Sequence, residues 1–580
     1  MIFLKQFRLF NSIIRLKDKS SWIYLSFLLI IALALDALSI SALVPLVSAF
    51  LNFESFINLE FFNNFSFIQN IQNKNYILLI FLFLFLIVIF IKTIYLIYFS
   101  YYSRKFQLEF SVITQKLLLK RYLFEEENFF YKKNSSLLIN NVNKEVDVCA
   151  IYFVFPFINL IVDFSSLIVV LIFLLYFNFY TTITISIFSV FIVFTYFKYF
   201  TVKINHWGKA RIESDRSKLK FLTEGLDGIR EIKIFRKQNY FLDLFNIYNR
   251  KAGIYNLYQN FLEQVPRLCF ELFSIFGIVI IFVIFIILDF QTVDIISNMA
   301  IYFFAILRIL PIFNKLIIGH QRINFGYNSS ILIEKEILES KNIFIKNKKI
   351  NYSNNLDSFT FQNLKLVNVS FSYPDNKKLI LNNINFELKK NDFVGILGSS
   401  GSGKSTLINI ILKILEPTKG AIFYNDQNYI DRQIWFSKVA LVSQNVFLFD
   451  NSIADNISFN DPNLDLKKLN KSMDCACIRE FVESLPQKNE TLVGQRGVNL
   501  SGGQKQRLSI ARALYADPEI LILDEATSAV DKDTEMKLLE SIKEINKNKT
   551  VIIISHSNSF IKDCKSIYKL ENGYLKKENS

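Results

Sequence analysis

Cysteine, histidine and charged residues within the apolar runs are the scarce features of this chain. Its 580 residues hold five cysteines, Cys149, Cys269, Cys475, Cys477 and Cys564, at no framework spacing. That excludes a small secreted scaffold stapled by disulfides and fits a reducing compartment for any soluble part. Cys475 and Cys477 lie one residue apart, but two sulfurs do not furnish the four ligands of a structural zinc, so the pair reads as structural. No cleavable signal peptide is expected. The basic start (Lys5, Arg8, Arg15, Lys17, Lys19) leads into an apolar run too long for a signal core. Acidic residues are outnumbered, 51 against 66 Lys and Arg, giving a net charge of +15. Such a balance can serve nucleic acid. Here the basic residues sit between apolar runs, as in cytoplasmic membrane loops, and no nucleic-acid partner is expected.

What is abundant is apolar: 52% of residues are hydrophobic, 61 of them Phe, and the mean hydropathy is +0.29. The distribution decides more than the total. A spanning helix needs about 20 mostly apolar residues. Six runs qualify: Trp22–Leu51, Tyr76–Phe99, Ala150–Phe177, Thr182–Phe200, Leu268–Leu288 and Val293–Ile318. The connection 52–75 carries Glu54 and Glu60 against Lys74, and the third-to-fourth and fifth-to-sixth loops have no Lys or Arg. The N-terminus, the second-to-third connection (Arg104, Lys105, Lys116, Lys120, Arg121) and the fourth-to-fifth (Lys203, Lys209, Arg211) are basic. The positive-inside rule then places both termini in the cytoplasm. The two basic connections are long enough to continue the helices beyond a bilayer. Their middles, near 125–135 and 223–237 with Gly225 and Gly228 as breakers, are candidate coupling turns. Residues 1–330 therefore read as a six-helix membrane domain, the charged, Asn-rich 331–360 as a linker, and 361–580 as a soluble domain.

The soluble part carries the chemistry. An apolar strand at 392–397 runs into Gly398-Ser399-Ser400-Gly401-Ser402-Gly403-Lys404-Ser405, followed by Thr406, which matches G-x-x-x-x-G-K-[ST] at every position. Glycines let backbone amides face phosphates at a helix N-terminus. Lys404 brings charge to the β/γ-phosphates of ATP, and the Ser405 hydroxyl is a ligand for Mg²⁺. A second apolar strand, 520–523, ends in Asp524 and Glu525. Asp524 reads as a metal carboxylate and Glu525, one residue on, as the general base for water. A third, 551–554, ends in Ser555-His556, in a chain with three histidines.

With Leu500-Ser501-Gly502-Gly503-Gln504 ahead of the Asp524 strand, the set resembles the ATP-binding cassette family in order and spacing. The resemblance implies further roles. Tyr373, in Phe371-Ser372-Tyr373-Pro374, would stack on adenine, and Gln444 would link Mg²⁺ to the coupling turns. Ser528-Ala529-Val530-Asp531 would cross a dimer interface, and His556 would contact the γ-phosphate. Gln495 stands where exporters of the family usually carry glutamate. Six spans followed by one cassette is the layout of an exporter half-transporter. It implies an α-helical six-span transmembrane domain followed by an α/β P-loop NTPase domain. It also implies a working pair, with a second copy or a paralogous half-transporter, in which Lys404 of one subunit and Ser501 and Gly503 of the other hold one ATP.

Cargo must be read from the spans, where a charge is expensive and a functional suspect. The candidates are Lys92, Arg267, Arg308 and Lys315, with Asp36 and Glu271 also in or near spans. Arg267 and Glu271 also fit a self-neutralising i,i+4 pair, and Lys315 also fits snorkelling to the surface. Arg308, between Ile306, Leu307, Ile309 and Leu310, is the best candidate for a cavity cation. Val265-Pro266-Arg267, the run 305–311 and Lys315 resemble the bacterial flippase for lipid-linked oligosaccharides, whose short external helix Phe53, Phe56, Phe61 and Phe62 would match. Lysines at 92 and 315, where that family has arginine, lose the bidentate grip. An exporter in a bacterial inner membrane moving an anionic lipid-linked glycan is one expectation. A general lipid or multidrug exporter and an ATP-gated channel are the alternatives.

Overall fold

The computed structural model describes residues 2–14, 19–41, 74–177, 179–287, 292–349, 359–373, 378–494, 497–527, 529–555, 561 and 563–578. The chain divides into two compact units, Met1–Glu125 with Phe129–Lys346, and Glu126–Asn128 with Asn347–Ser580.

The first unit is helical. Its described elements are α1 (Ile2–Ile14), α2 (Lys19–Ser41), α3 (Lys74–Leu123) and the short α4 (Glu127–Lys132). Next comes α5, which begins as Ser135–Asn140. It passes through π-helical turns Asn141–Glu145 and Ala150–Val154 on either side of Val146–Cys149, and ends as Phe155–Phe177. Then come α6 (Phe179–Asp227), α7 (Ile229–Ile234), α8 (Gln238–Ile287) and α9 (Thr292–Lys349). Among the described residues, three stretches are long and apolar enough to cross a membrane: Ser20–Ser39, Leu79–Leu123 and Ser135–Ile172. The fourth and sixth apolar runs lie within α6 and α9, and the fifth lies in α8 up to Ile287, Leu288 falling outside the described residues. The end of the first run, with the phenylalanines at 53, 56, 61 and 62, falls outside the described residues.

The short helices α4 and α7 occupy the two long connections. The second connection breaks at Gly228 and not at Gly225, which remains inside α6. The linker expected at 331–360 is corrected over its first part, since α9 runs on to Lys349. Ile333, Glu336, Ile337 and Ser340 recur at helical spacing and are buried, so one face packs although the stretch as a whole is charged. Ile333 and Ile337 join Leu9, Phe10 and Ile13 of α1 and Phe106, Phe110 and Leu118 of α3 in one apolar core.

Beside that core runs a buried polar network. Arg211 of α6, 1% exposed, donates to Asp215 Oδ2 at 3.0 Å, Glu145 Oε2 at 2.9 Å and Ser329 Oγ at 3.0 Å. Ser329 in turn donates to Glu145 at 2.6 Å, and Asn140 Nδ2 reaches the other Glu145 oxygen at 3.1 Å. The π turn 141–145 thereby places Glu145 against α6 and α9. Breaking a buried pair from one side strands a charge at a cost of about 3–5 kcal/mol. Arg211→Ala should therefore lower the thermal unfolding temperature of the purified protein clearly. Arg211→Met combined with Glu145→Leu, which removes both charges, should lose less.

The second unit holds two sheets. The strands β1 (Asn363–Phe371), β2 (Leu381–Lys389) and β4 (Lys419–Tyr424) form an antiparallel sheet in the order β2-β1-β4. The strands β3 (Phe393–Leu397), β5 (Val439–Val442), β6 (Ile520–Asp524), β7 (Thr550–Ile554), β8 (Ser566–Glu571) and β9 (Tyr574–Glu578) form the order β5-β6-β7-β3-β8-β9. That sheet is parallel except for β9. Its strands β6 and β7 read as near-continuous Ile, Leu and Val because both faces are covered. Parallel pairing aligns their carboxyl ends on one edge: Ile396 lies opposite Ile554, and Ile554 opposite Asp524. Ligands of open α/β sheets bind at that edge.

Candidate nucleotide site

The end of β3 turns through the glycine-rich loop into α10 (Lys404–Ile411). Gly403 takes φ of 106° before the helix, a conformation closed to most side chains. Gly398 leaves no room either: a Cβ there would lie 2.7 Å from Leu570 O and from Ser402 Oγ. The loop is thus wound tightly, with the first amides of α10 at its mouth.

Lys404 is 8% exposed, and its Nζ donates to Gly398 O at 2.6 Å and Ser399 O at 3.1 Å. Burial pulls its ammonium below the usual lysine range, and the nearby Glu525 and Asp524 carboxylates partly restore it. A buried cation beside backbone carbonyls is suited to an anion arriving from outside. Ser402 Oγ is buried and has no hydrogen-bond partner among the described residues, an orphan within the loop. The donor set therefore fits a nucleotide phosphate. The Ser405 side is exposed, leaving its hydroxyl open to a cation.

Two strand ends complete the edge. Asp524 closes β6, and Glu525 comes next with φ of 49°. Positive φ is uncommon for a residue with a side chain and here swings the carboxylate out of the strand line. The Glu525 amide donates to Ile554 O at 2.9 Å, and its Oε2 accepts from Gln444 Nε2 at 2.6 Å. The candidate base and the exposed glutamine after β5 are thus one pair. Ser405, Asp524 and Gln444 are the residues that would hold Mg²⁺, which when bound offsets phosphate charge.

The structure also locates the other residues anticipated from the sequence. Tyr373 is half-buried, edge-on to Phe371 at 5.0 Å, with its hydroxyl 3.4 Å from Thr406 Oγ1. Ser501 caps α13 (Gly502–Tyr515; α11 is Ile453–Ser458 and α12 Leu466–Cys475), accepting from the Gln504 amide at 3.3 Å. Gln504 Oε1 in turn accepts from the Ser501 amide at 2.8 Å, a capping box. Ser501 and Gly502 are exposed. Asp531 caps α14 (Lys532–Asn546) by accepting from the Thr534 amide at 3.0 Å, and that bond holds its carboxyl below the usual range. His556, Gln495 and Ser528 fall outside the described residues.

The membrane candidates fare differently. Lys92 carries an ion pair. Its Nζ pairs with Asp36 at 2.5 Å and donates to Ser39 Oγ at 2.9 Å, and Ser166 also donates to Asp36 at 2.5 Å. In a low-dielectric setting an ammonium takes the nearest carboxylate, and Asp36 on α2 supplies it. Arg267 is exposed on α8, and Lys315 is exposed on α9. The Arg308 backbone lies in α9, and its side chain falls outside the described residues.

Sequence reading missed Gln506 and the pair Arg512 and Asn456. Asn456, fully buried, has Nδ2 bonds to the carbonyls of Phe449 and Ser452, each at 3.0 Å, and accepts the Phe449 amide at 2.9 Å. Arg512 braces the same segment through Asn456 O and Phe447 O, both at 2.7 Å. These residues shape the chain after Gln444, and no spacing rule marks them.

Lys404→Ala should abolish the stabilisation that Mg-ATP confers on the protein. At a hundred times the Kd that stabilisation is about 2.7 kcal/mol. Thermal unfolding with and without nucleotide measures it.

Residues 381–528 match the family profile described as "ABC transporter". The chain is 36% identical over 287 residues to the heterocyst differentiation ATP-binding protein HepA of Nostoc sp., covering 48% of this chain and 46% of that protein. It is 38% identical over 219 residues to the alpha-hemolysin translocation ATP-binding protein HlyB of Escherichia coli O157:H7, covering 37% of this chain and 31% of that one. With the multidrug resistance-like ATP-binding protein MdlA of Escherichia coli it shares 41% identity over 207 residues, 35% of each chain. The chain thus matches less than half the length of these relatives. A solved structure described as a bacterial Atm1-family ABC exporter with ATP bound superposes with a TM-score of 0.74 at 19% identity, over 96% of this chain and 95% of that one. The phosphate loop, the strand-end acids and the profile match at 381–528 together make the second unit's core an ABC transporter domain, with ATP and Mg²⁺ as its cofactors, and the chain has the fold of an ABC exporter.

Proposed function

We propose that the protein is an ATP-hydrolysing exporter that works as two paired chains in a bacterial inner membrane, with both termini cytoplasmic. The observation that carries this reading is the Gln444–Glu525 pair set beside Lys404 at one sheet edge, in a chain whose whole length follows an exporter fold. Lys404 binds the β/γ-phosphates, and the Glu525 carboxylate takes a proton from the attacking water. Gln444 holds that carboxylate and joins it to the segment braced by Asn456 and Arg512. The exposed Ser501 and Gly502 are open to the nucleotide held by a second chain, so one chain alone leaves each site half built. His556 and Tyr373 would add contacts to the γ-phosphate and the adenine.

For cargo we favour an amphiphilic lipid, with a lipid-linked glycan or another anionic lipid as its narrower form. Arg267, Arg308 and Lys315 are the cations that would grip it. The neutralisation of Lys92 by Asp36 favours the broader lipid or drug exporter as the second reading.

Both are tested in proteoliposomes with a labelled polyprenyl-pyrophosphate oligosaccharide. Wild type should move the lipid with ATP. Glu525→Gln should bind ATP with turnover lowered at least about a hundredfold, and Arg308→Ala should hydrolyse ATP without transport. Near-normal hydrolysis by Glu525→Gln refutes the base. Hydrolysis by wild type without glycolipid movement leaves the broader exporter reading, and single-channel conductance would mark a channel.

A further inference from the structure

Gln506 lies five residues beyond Ser501 on the inner face of α13, and its side chain is buried. Its amide makes bonds of opposite sense. Nε2 donates to the backbone carbonyl of Glu525 at 3.3 Å, and Oε1 accepts from the amide of Ala529 at 2.9 Å. Ala529 belongs to the turn that ends at Asp531, the cap of α14. The same turn meets the start of α13 from the other side. A Cβ on Gly503 would lie 2.7 Å from Ala529 O, and one on Gly502 3.1 Å from Ala529 Cβ. Backbone is therefore pressed on backbone there, and only glycine permits the approach.

Glu525 is held by its amide on Ile554 O, by its carboxylate on Gln444 and by its carbonyl on Gln506. The Gln506 bond acts on the left-handed backbone of Glu525 itself, so its loss shifts the direction in which the carboxylate departs. Side chains that must sit within a fraction of an ångström of productive geometry need such supporting bonds.

We infer that Gln506 is a positioning residue for ATP hydrolysis, fixing the direction of Glu525 and the 529–531 turn to the helix that begins at Ser501. The inference rests on the hydrolytic reading given above. Through α13, a load applied at the exposed Ser501 reaches the base by way of a buried amide.

The test uses the full-length protein in detergent or nanodiscs. Gln506→Glu keeps the acceptor for Ala529 and loses the donor to Glu525, while Gln506→Met keeps length and loses both bonds. Each should lower kcat about tenfold or more, the rate equivalent of about 1.4 kcal/mol. KM for ATP should stay within about twofold of wild type. Placed on Glu525→Gln, neither substitution should lower the residual rate further, because Gln506 acts through Glu525. Wild-type kcat in both variants overturns the inference, as does a kcat loss that adds to that of Glu525→Gln. A joint fall of kcat, nucleotide affinity and melting temperature in Gln506→Glu also overturns it, by making the residue merely structural. Absence of hydrolysis in the wild type would instead remove the function on which the inference rests.

Discussion

A charge taken out of water has to meet its opposite, and both units are arranged around that requirement. In the helical unit Arg211 meets Glu145 and Asp215, and Lys92 meets Asp36. In the soluble unit Lys404 meets carbonyls at hydrogen-bond distance and feels the acids Asp524 and Glu525 through their charge. The difference of place separates structure from site: ion pairs between helices tether them, whereas a cation in the glycine-rich loop stands where a phosphate arrives.

The parallel sheet turns that difference into a place for chemistry. Pairing of β3, β7 and β6 brings a glycine loop, a serine end and an acidic end to one edge, although the loop is more than a hundred residues from the other two in the chain. Around the edge, polar side chains outside the phosphate loop do the holding. Gln444 reaches the carboxylate of Glu525, Gln506 its carbonyl, and Asn456 with Arg512 shapes the segment beyond Gln444. Packed apolar strands behind the edge keep the geometry rigid, since Ile396, Ile522, Leu523 and Ile554 are all buried.

The helical unit illustrates how composition can mislead locally. Residues 331–349 look like a charged linker, yet four positions at helical spacing are buried, and two of them join the core of α1 and α3. Lys92 is a candidate cargo cation by its sequence, and Asp36 on another helix pairs with it. Neither packing partner is legible locally: one contributed by a distant element leaves no trace in the local pattern.

By itself the sequence determined the features that rest on contiguous residues. The phosphate loop 398–405, the acidic end of the β6 run, the signature at 500–504 and the long apolar runs each carry their chemistry in adjacent side chains, so spacing alone exposes them. The tertiary structure decided the features that depend on residues far apart. It assigned Gln444 to Glu525, gave Gln506 its two backbone partners, withdrew Lys92 into an ion pair and inserted π turns that bring Glu145 to Arg211. A motif is local because a loop or a strand end is one stretch of backbone. The direction and charge balance of a side chain are set by whatever packs against it, which only the folded chain supplies.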